Sequence, residues 1–213
     1  MPASGREGVT DTAMHVLEHQ EPTRAQMLRR ATVCGGAVLG GATAWGLSQL
    51  TFASPSADQD VRVLNLVLAL EHLKAAFYRE ALERGGLRGE LKRFAQTVGD
   101  HESAHVAFLR KALGGAADPA PNHDFGDRLA EADSFASAAV ELEDLAVATY
   151  NGQGVNLTTP SLTAAARIVS VEGRHAAWIR SIIGDVPATQ PTDPLATEAQ
   201  TRARLREFGV EVR

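Results

Sequence analysis

The sequence predicts an all-α protein whose main body is a bundle of four long helices. Three observations lead there. Four consecutive stretches place apolar residues at 3.6-residue spacing, and each is bounded by Gly, Pro or Asn. Aromatic residues make up only 5% of the chain, so the core must be built from Ala, Leu and Val, which suits close-packed helices better than a β-sandwich. Each apolar stripe is also interrupted near its middle by a carboxylate, which gives four interruptions at one height.

The first stretch runs from about Gln59 to Arg84 and stops at Gly85-Gly86; its stripe is Leu64, Val67, Leu68, Glu71, Ala75, Tyr78 and Leu82. The second, from about Gly89 to Leu113, carries Leu91, Phe94, Val98, Glu102, His105, Leu109 and Ala112 and ends at Gly114-Gly115. A connection rich in Pro, Gly, Asp and Asn follows, Ala116 to Asp127. The third stretch covers about Arg128 to Tyr150 and ends at Asn151-Gly152; Leu129, Ala132, Phe135, Ala139, Glu143, Val147 and Tyr150 form its stripe. The fourth opens near Pro160, well placed at a helix start, and ends at Gly184-Asp185. Its stripe is Leu162, Ala165, Ile168, Glu172, His175, Ile179 and Ile182. The 14 residues from Gly114 to Asp127 reach about 46 Å when extended. A crossover along a 24-residue helix needs about 36 Å, so a crossover is feasible, though not required. The tail, 185–213, begins with three prolines and then reads as a short amphipathic helix carrying Leu195, Leu205 and Phe208, with packing on the bundle or on a partner equally open.

Ahead of the bundle, residues 1–57 read as an export signal or a membrane anchor. No charged residue lies between Arg30 and Asp58, and Arg24, Arg29 and Arg30 precede this apolar run. The basic flank and the small residues at the exit describe an export signal that places the bundle outside the cytoplasmic membrane. The Arg29-Arg30 pair suggests the twin-arginine route. A retained anchor through residues 31–53 is the alternative, since about 20 apolar residues span a bilayer. Cys34, the only cysteine, precedes most of the apolar run, which argues against a lipoprotein signal. A single cysteine also excludes a disulfide framework within one chain and any Cys-based metal site. A net charge of −5 leaves no footprint for nucleic acid.

The chemistry lies in the interrupted stripes. Two helices each supply one Glu, Glu71 and Glu143. The other two supply Glu-x-x-His, as Glu102-Ser-Ala-His105 and Glu172-Gly-Arg-His175. Residues three apart project from one face of a helix, so both side chains of each motif reach one ion. A bare carboxylate in an apolar seam costs several kcal/mol, so four of them call for cations. Spacing supports the grouping. Glu71 to Tyr78 and Glu143 to Tyr150 are both seven residues; Glu71 to Glu102 is 31 and Glu143 to Glu172 is 29. Side chains at one height in an antiparallel pair are equidistant from the turn. The two midpoints fall at 86–87, beside Gly85-Gly86, and at 157–158, inside the loop before Pro160. This Glu, Glu-x-x-His, Glu, Glu-x-x-His order is the ligand pattern of di-iron and di-manganese carboxylate bundles. It predicts two divalent ions, iron first and manganese also compatible, held by Glu71, Glu102, His105, Glu143, Glu172 and His175.

The segments around these ligands resemble the ferritin-like domain family, including bacterial desiccation-associated members. The residues that carry the resemblance are Leu64-Asn65-Leu66-Val67-Leu68-Ala69-Leu70-Glu71-His72-Leu73 with Phe77-Tyr78-Arg79-Glu80; His101-Glu102 with His105-Val106; Leu142-Glu143-Asp144 with Tyr150 and Gly152; and Val171-Glu172 with Arg174-His175-Ala176-Ala177. The resemblance covers residues 58–184. It implies a crossover between the second and third helices, export in many members, and binding of iron or a similar metal.

Other residues carry weaker signals. Tyr78 and Tyr150 sit two turns from their glutamates, where plain core packing competes with support of the ligands. His72 and His101 flank ligands and point sideways, as supporting or surface groups. His101-Glu102-Ser103-Ala104-His105 also spells the H-E-x-x-H zinc protease motif, but that reading leaves Glu71, Glu143, Glu172 and His175 without a role. The leading functional expectation is an exported oxidoreductase in stress protection, oxidising Fe(II) or consuming peroxide or dioxygen at a metal pair. The alternative is a non-catalytic metal-binding or structural bundle at the cell envelope.

Overall fold

Helix α1 (Ala57–Arg84) starts where the Ser56 side chain accepts a hydrogen bond from the Gln59 backbone N–H at 3.2 Å. It ends where Gly85 takes the left-handed conformation at φ 72°. The computed structural model describes residues 54–212, so the expected signal or anchor segment lies outside the described residues. After α1 come α2 (Gly89–Leu113), α3 (Ala132–Gln153), α4 (Thr159–Ile182) and a short α5 (Glu198–Arg206), with 3₁₀ turns at Gly114–Ala116, Gly126–Leu129 and Gly154–Asn156. The described residues contain no strand, and none of their helices is long and apolar enough to cross a membrane.

The long helices pack chiefly as two pairs, α1 with α2 and α3 with α4, and the pairs meet through α1 against α3 and α2 against α4. Two tyrosine–glutamate contacts show how the pairs are oriented. Tyr78 donates to Glu143, while Tyr150, seven residues beyond Glu143, donates to Glu71 at 2.7 Å. Ascending α1 therefore means descending α3. Since α2 also descends, the chain must climb the bundle between them, and the crossover is real. Along the way, Asn65 donates to the Ala116 carbonyl and accepts from the Asp118 N–H, both at 2.9 Å; farther up α1, Glu80 meets His123 at 2.6 Å. Wrapped by this connection as well as by helices, α1 is buried continuously from Val63 to Glu71.

The carboxylates separate two apolar clusters. At one end Phe77 stacks on Phe135 at 5.2 Å and meets Phe125 edge-on, with Phe94, Leu73 and Ile179 around them. At the other, Val67, Leu68, Leu109 and Ile168 close the bundle. Each large side chain buried in this way contributes about 1.5–3 kcal/mol. Ala112 and Leu162, assigned to the inward stripes, are exposed, and Leu113 is buried in place of Ala112. Both lie in terminal turns, where a 3.6-residue helix drifts away from a fixed seam.

The tail packs on the bundle. Thr197 and Gln200 form a capping box at the start of α5, and Leu205, Phe208 and Val210 are fully buried. Leu195, expected on the apolar face, is instead 70% exposed. The third helix also continues through Asn151-Gly152 and ends at Gln153, beyond the stop that this pair predicts. Gly152 is needed for another reason: a Cβ there would lie 2.0 Å from the Ala196 carbonyl oxygen. The backbone of the tail passes directly over it, with Ala196 donating to Ala148 and accepting from Gln153.

Candidate metal centre

All six predicted ligands converge. Glu71 on α1, Glu102 and His105 on α2, Glu143 on α3, and Glu172 and His175 on α4 form two overlapping groups. The first is Glu71, Glu102, Glu172 and His105; the second is Glu102, Glu143, Glu172 and His175. Within each, one potential ligand atom per residue lies within 4.8 Å of every other. Glu102 and Glu172 belong to both, the sharing expected of bridging carboxylates. All four glutamates are fully buried.

The donor chemistry fits divalent metal. Glu71 Oε2, Glu102 Oε1, Glu143 Oε2, Glu172 Oε1 and His175 Nδ1 are buried and turn toward one another, away from water. Three carboxylates and one imidazole per group suit hard-to-borderline cations such as iron or manganese.

Both tyrosines of the chain serve this layer. Each donates its hydroxyl to a carboxylate of the opposite helix pair, and burial together with the adjacent glutamate pushes both phenols above their usual range. They are both core residues and hydrogen-bond donors to Glu143 and Glu71.

Of the two flanking histidines, one supports the centre. His101 Nδ1 lies 2.9 Å from His175 Nε2, and the rings stack at 5.1 Å. Burial and the neighbouring His175 and His105 charges lower the His101 pKa, and the contact engages the Nε2 edge of His175. This leaves His175 Nδ1 turned toward the carboxylates. His72 makes no such contact; its Nε2 is buried without a partner. Burial and Arg110 lower its pKa. The zinc protease arrangement is absent, because His101 faces His175 whereas His105 Nδ1 points at Glu172, 2.9 Å away.

Sequence reasoning missed Lys74. Its side chain is fully buried at the centre of the four carboxylates. Nζ lies 3.0 Å from Glu143 Oε2, 3.1 Å from Glu102 Oε1 and 3.9 Å from Glu71 Oε2, and it hydrogen-bonds Glu172 Oε2. Burial favours the neutral amine, but Glu102, Glu143, Glu172 and Glu71 outweigh it and keep the ammonium charged. The signal was available: Lys74 stands three residues after Glu71, the spacing that joins each Glu-x-x-His.

Two further cations line the layer. Desolvation opposes the charge of His105 and His175, yet their carboxylate partners push them up to about 12 and about 11. Burial and Glu172 raise Glu71 well above the usual carboxylate range, and burial raises Glu143 to about 7 against the pull of Lys74. Lys74, His105 and His175 thus stand among the four carboxylates, so cationic side chains oppose their charge within the layer itself. A metal ion bound by His105 or His175 must first displace a proton. Those rings also border an open depression of about 430 Å³ lined by His101, Ala104, Val171, Arg174 and Trp178, which gives the layer an approach from the α2–α4 face.

The fold and site define a class: an all-α crossover bundle with a buried carboxylate–histidine centre able to hold metal ions. The chain belongs to the ferritin-like domain family, whose sequence model matches residues 59–185. A search of curated proteins returns no significant match.

Proposed function

We propose that this is an exported ferritin-like protein that binds iron or manganese at its carboxylate–histidine centre and uses it to oxidise Fe(II) or to consume peroxide or dioxygen. The observation that carries the metal reading is the convergence of four buried carboxylates and two imidazoles, from four helices, into two groups whose ligand atoms lie within 4.8 Å of one another. When bound, iron or manganese supplies the electrons for reaction with dioxygen or peroxide. The chain's own residues do the rest. Tyr78 and Tyr150 orient Glu143 and Glu71, His101 engages the Nε2 edge of His175, and the two apolar clusters exclude bulk water above and below. Small oxidants reach the layer through the depression beside His105 and His175. Export is supported by the Arg29-Arg30 pair and the uncharged run after it.

The test is metal content of the full-length chain after anaerobic loading with Fe(II) or Mn(II), followed by dioxygen and peroxide consumption. Wild-type protein retains metal and turns over; Glu102→Ala and Glu172→Ala, each of which removes a carboxylate common to both groups, lose both properties. Metal without turnover favours the second reading, a non-catalytic metal-binding or structural bundle. That reading draws support from Lys74, which compensates the carboxylates even without metal. Wild-type protein without metal removes both metal-binding readings and leaves a structural bundle.

A further inference from the structure

The two ligand groups differ in one respect that bears on how many ions they take. The oxygens facing His175 Nδ1 are Glu102 Oε1 at 3.1 Å, Glu143 Oε2 at 3.4 Å and Glu172 Oε2 at 3.6 Å. These same three oxygens are the ones that Lys74 Nζ contacts most closely. The oxygens facing His105 Nδ1 are different atoms: Glu172 Oε1 at 2.9 Å, Glu102 Oε2 at 3.3 Å and Glu71 Oε2 at 3.6 Å. Lys74 touches only one of these, Glu71 Oε2, at the long distance of 3.9 Å. The ammonium is therefore seated in one group and reaches only the edge of the other.

We propose that Lys74 is the resident cation of the Glu143–His175 group, so that each chain binds one exogenous divalent ion, in the Glu71–His105 group. The inference rests on the reading that the centre binds metal. A divalent ion sits about 2.0–2.2 Å from carboxylate oxygens. An ion on the three oxygens already engaged by Nζ would share its space with the ammonium. Moving Lys74 aside is costly, because its whole side chain is buried and its stem rises from α1 between the buried Glu71, Leu73, Phe77 and Tyr78.

The internal repeat shows that the filling is one-sided. Glu71, Tyr78, Glu143 and Tyr150 pair by an offset of 72 residues, which carries Lys74 onto Ala146. Tyr78 and Lys74 on α1 both reach across to Glu143 on α3; Tyr150 on α3 reaches back to Glu71. A lysine at 146 would by the same crossing reach the Glu71–His105 group. Ala146, fully buried and without a charge, leaves that group free.

Mn(II) titration of the full-length protein and of Lys74→Met, by calorimetry and electron paramagnetic resonance, tests this. Wild type is expected to bind one ion per chain with the six-line spectrum of an isolated Mn(II), and Lys74→Met two, with a spin-coupled spectrum. Two coupled ions in wild type would overturn the proposal while leaving the metal reading intact. No metal in either protein would overturn both. Glu71→Gln and Glu143→Gln, in the Lys74 background, keep the question open to test if Lys74→Met does not fold. The single ion should be held in Glu143→Gln and weakened more than about 100-fold in Glu71→Gln, since losing a direct ligand exceeds the 10–100-fold loss for an outer partner. Equal weakening in the two would overturn the assignment.

Discussion

The α1–α2 pair and the α3–α4 pair carry the same arrangement of Glu, Tyr and Glu-x-x-His, yet three positions set them apart. Lys74 in the first half corresponds to Ala146 in the second. His101, which precedes Glu102, corresponds to Val171, so His175 gains an imidazole partner and His105 gains none. Glu80, which meets the crossover through His123, corresponds to Gly152, over which the tail passes. The ligands of a carboxylate centre can thus repeat closely while the residues that charge, orient and cover them diverge. Symmetry of ligands does not make the two groups alike.

Making the halves alike at the lysine has the largest expected effect. Lys74→Met leaves carboxylates without their central ammonium, and breaking a buried charge cluster costs about 3–5 kcal/mol. Chemical denaturation of the metal-free protein should show this, and Mn(II) should recover part of it by binding the folded state. A loss below about 1 kcal/mol would mean that the carboxylates are compensated by protons instead.

Next in size is the cover on the second half. Gly152→Ala drives a methyl into the Ala196 backbone and should cost about 1–3 kcal/mol, the usual range for overpacking, measured as a fall in midpoint on denaturation. Its counterpart Glu80→Ala removes only a partly exposed contact to His123 and should cost less than about 1 kcal/mol. Equal losses would show that the tail does not hold its position on Gly152.

The tyrosines sharpen the comparison, because they are where the halves agree. Tyr78→Phe and Tyr150→Phe each remove a buried hydroxyl donor to a carboxylate and should each cost about 1–3 kcal/mol, with values close to one another. A large difference would place the asymmetry deeper than Lys74 alone.

The smallest effect concerns the helix starts. Asp60 on α1 accepts from the Thr158 N–H at 2.8 Å, from the Thr158 hydroxyl and from Ser161 Oγ at 2.6 Å, tying down the start of α4; α2 begins at Arg88 without a side-chain cap. Burial raises the Asp60 pKa, but the Ser161 and Thr158 hydrogen bonds outweigh it and hold it below the usual value. Its contribution is therefore full above the ordinary Asp range near pH 3.9 and fades as the pH falls through the lowered folded value. Asp60→Ala should cost about 1 kcal/mol at neutral pH and progressively less in acid. A cost that stays constant with falling pH would assign the effect to packing.

The sequence by itself determined the all-α class, the extents of α1 and α2 to within two residues, and which four glutamates and two histidines converge. Local physics suffices for these. The 3.6-residue repeat selects which side chains turn inward, and turn positions bring equidistant residues to one height. What it left open depends on atoms from elements distant in the chain. Glycine at 152 looks like a helix stop until the tail is seen crossing it. Leu195 looks apolar and inward until Ala196 proves to be the residue docked on α3. The direction of the crossover follows only from the exchanged contacts of Tyr78 and Tyr150. Lys74 is the clearest case. A lysine is ordinarily a surface residue, and only the convergence of Glu71, Glu102, Glu143 and Glu172 from four helices makes a buried ammonium favourable at that place. The charge that decides how the centre is filled was present as one letter, and its meaning came from four others assembled around it.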